Sequence, residues 1–294
     1  MNKLTPMLAG AALALTALPA IAGVVITQKQ SVVSGPNNRD AEQTVMLQGN
    51  KQKMITDKHT IITDLDKGMV YILDPKVKSY FQIDFPPKGQ MAAMMAASAA
   101  SSMNFKKGSS TRDIAGYKCT DYDGGGHVMA GDYTIKECFS KNAPGASEYS
   151  AFQKNMTSKL KASGAAPAGM GADMPDGVPL ASDSTMKMGN MQIPGMSAEQ
   201  AAKINQMMAN RPPVVTKTVV TKIAAQNLPD DTFAVPAGFT KKELPQGPGG
   251  MGGMHMGGAP AGGSGMHMGA APAPRLNLPG APAAGPSTAA PTAP

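Results

Sequence analysis

The chain has 294 residues, with 27 Lys and Arg against 20 Asp and Glu, a formal net charge of +7. Aromatic residues are 4% and Trp is absent, whereas Met reaches 24 and Gly (33) with Pro (25) make up about a fifth of the chain. That composition excludes a large aromatic core. No Lys/Arg run exceeds two residues, which excludes a typical nucleic-acid binder, and only the N-terminal twenty or so residues are apolar enough to suggest a membrane span.

Those N-terminal residues read as an address. Lys3 is a charged n-region, Met7–Leu18 an Ala/Leu-rich h-region, and Pro19-Ala20-Ile21-Ala22 a small-x-small cleavage signal. The pattern predicts a secretory signal peptide over 1–22, cleaved after Ala22, and a periplasmic or secreted mature chain.

The next segments read as strands. Val24–Val33 is β-branched and partly alternating. Thr44–Gln48 and Lys51–Thr56 flank the turn dipeptide Gly49-Asn50. His59–Asp64 and Met69–Leu73 flank Asp66-Lys67-Gly68, and Asp74-Pro75-Lys76 turns the chain into Val77–Ile83, with Phe81, Ile83 and Phe85 on one face. Consecutive strands with tight turns predict an antiparallel meander.

Gln90–Met103 is Ala-rich, with Met91, Met94 and Met95 at helical spacing. Its propensity predicts a short helix that is apolar nearly all round. Two readings stand for the methionines: ordinary core packing, or the lining of a lipid-binding cleft, for which a flexible, polarizable side chain is suited.

Thr111–Asp123 and His127–Phe139 read as a further strand pair joined by Gly124-Gly125-Gly126. Cys119 and Cys138 are the two cysteines, so one pairing is possible, and a separation of nineteen suits neighbouring strands. In an exported chain they predict a disulfide. Ser147–Leu160 reads as an amphipathic helix with Tyr149, Phe152, Met156 and Leu160 along one stripe. Residues 163–196 are Gly/Pro/Met-rich and weakly patterned, an insertion in the domain. Ser197-Ala-Glu-Gln200 is a capping box before a short helix holding Ile204, Met207 and Met208, and Pro212-Pro213 stops it. Val214–Ile223 reads as a strand with Val215, Val219 and Ile223 on one face, and Leu228-Pro229 with Phe233–Phe239 closes the domain.

Residues 245–294 hold 13 Gly and 10 Pro, no aromatic, no acid and one base, Arg275. Such a tail cannot bury enough apolar surface to offset chain entropy and is expected to be disordered. It carries two His-between-Met clusters: Met251 and Met254-His255-Met256, then Met266-His267-Met268. Thioether and imidazole suit Cu(I) or silver, which makes the tail either a weak metal binder or low-complexity linker.

The globular part, 23–244, thus reads as one α+β domain: a curved antiparallel sheet, an open half-barrel, with two or three short helices over one face. Enzyme motifs are missing: there is no GxSxG, HExxH or phosphate loop. His59 and His127, the only histidines of this part, read as exposed strand residues.

Several segments resemble a known pattern. They are Lys53-Met54-Ile55, Met69–Asp74 through Lys78–Ile83, Ile114-Ala115-Gly116-Tyr117-Lys118-Cys119, and Val219–Ile223 leading to Leu228-Pro229, Phe233 and Val235–Phe239. Together they resemble an exported bacterial family without assigned function, related to the outer-membrane lipoprotein carrier superfamily. The resemblance implies a half-barrel sheet with a helical lid, no catalytic residue, and binding of an apolar moiety. On that reading Met91, Met94, Met95, Phe81 and Phe152 line an apolar cleft. The function expected is a non-enzymatic envelope binding protein. Copper or silver handling by the tail, or a structural protein in which the tail is a spacer to an envelope partner, are the alternatives.

Overall fold

A computed structural model of the chain describes residues 23–89, 92, 105–128, 131–166, 174–188, 197, 199, 202–203, 205–206 and 210–243. The leader at 1–22, the tail at 245–294 and nearly all of Gln90–Met103 lie outside the described residues, as do Ile204, Met207 and Met208.

Among the described residues twelve strands form one open sheet. They are β1 (Gly23–Ser34), β2 (Asn37–Gln48), β3 (Lys51–Ile55), β4 (Thr60–Asp64), β5 (Met69–Asp74), β6 (Ser79–Asp84), β7 (Lys106–Ile114), β8 (Tyr117–Val128), β9 (Gly131–Ser140), β10 (Val178–Met188), β11 (Val214–Gln226) and β12 (Thr240–Lys241). Their order is β12-β6-β5-β4-β3-β2-β1-β11-β10-β9-β8-β7. The meander expected over the first six strands is present. The late strand β11 then seats beside β1 with Gly23 opposite Gln226, and so joins that meander to β7–β10.

One α-helix, α1 (Ala146–Ala162), is described along its whole length, where the sequence places Ser147–Leu160; the other expected helices, over Gln90–Met103 and after Ser197, fall almost wholly outside the described residues. Helix α1 begins at Gly145, whose φ of 76° few other residues adopt; a Cβ there would lie 2.5 Å from that of Val24. The expected stripe is the one that packs: Tyr149, Phe152, Met156 and Leu160 are buried against Val24, Ile26, Val45, Leu47, Leu180, Val220 and Ile223. This is the inner face of the sheet.

Three expectations are corrected. Gly124-Gly125-Gly126 is not a turn but the interior of β8. The glycines are there for close approach: a Cβ on Gly124 would meet the Phe105 ring and Ile135 at 3.1 Å, and one on Gly125 would meet the Tyr133 carbonyl at 2.8 Å. Thr111–Asp123 is not one strand, because Ala115 (φ 50°) and Gly116 (φ 83°) turn the chain between β7 and β8. The stretch read as weakly patterned holds β10, an inner strand of small and polar residues with no alternating signal.

The outer face has its own core. After β11 the chain crosses it, and Leu228, Phe233, Val235 and Phe239 pack with Val25, Met46, Ile62, Tyr71, Leu73 and Tyr80. The Lys53 ammonium donates to the Thr232 carbonyl at 2.9 Å, and β12 adds a short parallel pairing to β6.

Cys119 and Cys138 form the expected disulfide between β8 and β9. Beside it Arg112 of β7 holds the buried Asp121 through Nε at 2.9 Å and Nη2 at 2.8 Å, and reaches Asp183 of β10 at 3.7 Å. Reducing the disulfide is expected to lower stability by about 3 kcal/mol on the chain-entropy account. Urea midpoints with and without dithiothreitol measure this, and an unchanged midpoint would mean that the cross-link does not constrain the unfolded chain.

Candidate ligand-binding face

Side chains alternate across a strand, so the registers assign each residue to a face. On the inner face one rung runs Ile26–Val45–Met54–Ile61–Ile72–Phe81 from β1 to β6. The next rung adds Val70 and Ile83. Ile26 and Val45 are buried under α1, whereas Met54, Ile61, Ile72, Phe81, Val70 and Ile83 are only half-buried. The result is an apolar strip that continues the helix-covered core out onto the open half of the sheet.

Of the residues expected to line a cleft, Phe81 stands at the end of this strip. Phe152 stands elsewhere: it is fully buried in the middle of the packed stripe of α1. Met91, Met94 and Met95 lie outside the described residues. The sequence reading did not single out Met54, Ile61, Ile72 or Val70; their signal was two neighbouring rungs, which need the register of four hairpins at once.

Polar residues take over one step along the strands. Gln28 and Gln43 are paired across β1 and β2, the Gln28 amide donating to the Gln43 carbonyl oxygen at 2.9 Å. The rung beyond runs Gln30–Thr218–Ser182–Glu137–Tyr122 over β1, β11, β10, β9 and β8. Gln28, Gln30, Gln43, Thr218, Ser182 and Glu137 are all buried. The expectation that Val215, Val219 and Ile223 share a face fails at a bulge opposite Thr27 and Gln28, which brings Thr218, Val220 and Ile223 inward and leaves Val219 exposed.

Glu137 sets the electrostatics here. Tyr149 and Tyr133 both have hydroxyls held well above the ordinary tyrosine range. Burial is the main cause and the Glu137 charge adds to it, while a hydrogen bond with Gln153 or Ser184 acts the other way.

A cavity of about 170 Å³ opens between α1 and residues 174–177, lined by Phe139, Tyr149, Gln153, Lys154 and Met174 among others. Lys154 closes on Asp176 at 3.3 Å at its rim. Its size falls below the roughly 300–1,000 Å³ of ordinary small-molecule pockets. Where the sequence expects a greasy hollow between sheet and helix, α1 packs directly on the sheet, and the apolar strip on β3–β6 continues from that core.

The tail residues Met251, Met254, His255, Met256, Met266, His267 and Met268 lie outside the described residues. Among the described residues no group of three His, Cys, Asp or Glu side chains could hold a metal. His59, expected to be exposed, is half-buried in the β3–β4 turn, where its backbone N–H donates to Thr56 Oγ1 at 3.1 Å. His127 lies in β8. No helix among the described residues is long and apolar enough to cross a membrane.

No family model matches the sequence, and no curated protein matches it. Among solved structures the chain is similar to PNGF-II at 11% identity and a TM-score of 0.35, over 76% of this chain and 31% of that one. It is also similar to a LolA superfamily protein from Nitrosomonas europaea, at 8% identity and a TM-score of 0.28, over 74% of this chain and 91% of that one. A third is a putative outer membrane lipoprotein-sorting protein domain from Vibrio parahaemolyticus, at 8% identity and a TM-score of 0.29, over 72% and 89%. The chain spans about a third of the length of PNGF-II. The second and third names fall in the superfamily that the sequence segments resemble. Likenesses this distant carry no argument about activity.

Two outcomes follow from the geometry. Phe152→Ala is expected to cost about 3–5 kcal/mol, whereas Phe81→Ala, at a half-buried position, costs about 1 kcal/mol or less; chemical denaturation separates the two, and equal losses would show that the strip is core. Tyr133 and Tyr149 are protonated in the fold beyond the pH at which an unfolded tyrosine ionises. Their contribution to stability is therefore complete below about pH 10 and is lost as pH rises above it. Absorbance titration of the phenolates is expected to show two tyrosines ionising late, together with unfolding.

Proposed function

We propose that this chain is an exported, non-enzymatic binding protein of the bacterial envelope that takes an apolar chain on the inner face of its open sheet. The observation that carries the reading is the half-buried strip of Met54, Ile61, Ile72, Phe81, Val70 and Ile83 continuous with the buried core. Six apolar side chains from four adjacent strands make a contiguous patch, and a patch of this kind marks an interaction site more often than a chance exposure. Its strands lie about 4.8 Å apart, so a chain crossing β3–β6 would meet a new apolar side chain at each strand. Each methylene it buries there is worth about 0.8 kcal/mol.

Export is supported by the signal-like leader and by the Cys119–Cys138 disulfide, since such bonds persist in oxidising compartments. The non-enzymatic reading is supported by the content of the inner face, where amides, hydroxyls, a buried acid and two buried tyrosines stand beside apolar side chains.

Mass spectrometry of the purified chain is expected to find co-purified lipid, and the delipidated protein is expected to bind the apolar fluorophore diphenylhexatriene. Ile72→Asp should weaken that binding at least tenfold with the fold retained by circular dichroism. Absence of both lipid and fluorophore binding would refute the proposal.

A further inference from the structure

The apolar strip has a length, a width and a direction, and each restricts what can lie on it. Its main rung runs Met54–Ile61–Ile72–Phe81, one side chain from each of β3–β6. From the first side chain to the last there are three strand spacings, about 14 Å. At one end the strip stops against the packed core. The next residues of the rung, Val45 and Ile26, are buried under α1, and Met54 itself packs against that cluster. At the other end it stops at the sheet edge, where among the described residues only β12 follows, paired with Ser79 and Tyr80.

The flanks set the width. On one side the neighbouring inner rung is Gln52 on β3 and Thr63 on β4, and turns apolar only at Val70 on β5 and Ile83 on β6. On the other side it is Asp74 and Ser79 on β5 and β6, while β3 and β4 end in a turn where Thr56 Oγ1 donates to the His59 carbonyl at 3.0 Å. The strip is thus one side chain wide over β3 and β4 and two wide over β5 and β6. A second alkyl chain alongside the first would lie on Gln52 and Thr63 for half its length and strip water from an amide and a hydroxyl without replacing their hydrogen bonds.

The ends set the direction. A polar head group at Met54 would be pressed against a dry core, whereas at Phe81 it stands past the edge in water. A chain therefore lies with its methyl end at Met54 and its head beyond β6. An extended alkyl chain advances about 1.2 Å per carbon, a third of the roughly 3.5 Å that three backbone bonds span in an extended peptide. The three strand spacings hold about 12 carbons on that scale, and every further carbon emerges beyond the edge.

We infer that the β3–β6 strip is a ruler for a single alkyl chain of about 12 carbons, laid methyl end first against the α1-covered core, with its head group left outside the sheet. This rests on the apolar-chain reading above and adds the class of ligand: single-chain amphiphiles of medium length, selected by the chain and not by the head.

The test uses the full chain and displacement of diphenylhexatriene by the even saturated fatty acids from octanoate to stearate. A chain on an open face buries one side, so each added methylene is expected to gain about twofold in affinity, about fourfold per even step. The gain should stop at dodecanoate or myristate, and affinity should be flat from there to stearate. Phe81→Asp removes the last side chain of the rung, one spacing or about 4 carbons, and should move the break down to octanoate or decanoate. Phe81→Ala, at little cost in stability, should move it in the same direction. A plateau caused by self-association of the longer acids would not move with the protein, so the shift is the deciding readout. Lauroyl lysophosphatidylcholine, with a larger head on a chain of the same length, should bind about as tightly as dodecanoate. Affinity that keeps rising to stearate, a break that stays in place in both Phe81 variants, or a loss of binding on exchange of the head group would overturn the inference and leave the apolar-chain reading standing. Failure of the wild type to bind diphenylhexatriene and every acid would remove both.

Discussion

The structure depends on one long-range pairing. β1 and β11 hydrogen-bond along their whole length, with Gly23 opposite Gln226 and Ser34 opposite Val214. Nothing local brings these segments together. The N-terminal meander can form hairpin by hairpin, but its inner face is covered only when β11 brings Val220 and Ile223 beside Ile26 and α1 seats on the seam. The outer core needs the same event, because Leu228 and Phe233 follow directly from β11. Closing a loop of this length before its contacts form is slow, so the seam is expected to govern the folding rate.

The seam also explains why the two faces differ. Strand side chains alternate strictly, so each residue of β1 serves one face only. Val24 and Ile26 lie under α1, Gln28 and Gln30 continue the same face beyond it, and Val25 supports the strap that crosses the outer side. The helix is 17 residues long and cannot cover twelve strands. Beyond α1 the inner face of the described strands divides into an apolar strip on one side of the seam and a polar rung across it.

Much of the fold was legible because its signals are local. Gly49-Asn50 announces its hairpin by turn chemistry, and Tyr149, Phe152, Met156 and Leu160 announce α1 by period. The failures share a cause, which is that the deciding contact lies far away in sequence. Gly124 reads as a turn residue until the Phe105 ring is seen to lie against it. Val219 reads as a core residue until a bulge shifts β11 by one position. β10 carries Pro179, Ala181, Ser182 and Ser184 in place of an alternating apolar set, and is held as a strand by its neighbours β9 and β11. The candidate site was less legible still. Phe81 was singled out, but a strip drawn from four strands and a polar rung drawn from five exist only once register is known.

An open sheet with a free inner face must also avoid pairing with other copies of itself. The edges show how this is arranged. At one side β12 pairs with Ser79 and Tyr80 and so covers the start of the β6 edge. At the other, β7 begins Lys106-Lys107-Gly108-Ser109-Ser110, its register with β8 is broken between Lys107 and Thr111, and Arg112 is drawn across the sheet onto Asp121 and Asp183. Charge, irregular register and a cross-strand clamp make β7 a poor template for a further strand. The disulfide one strand further in ties β8 to β9. With β7 blunted and the start of β6 covered, these edges are poorer templates for a further strand than bare ladders would be. The sheet can remain open, and an open sheet is the arrangement that the proposed ligand face requires.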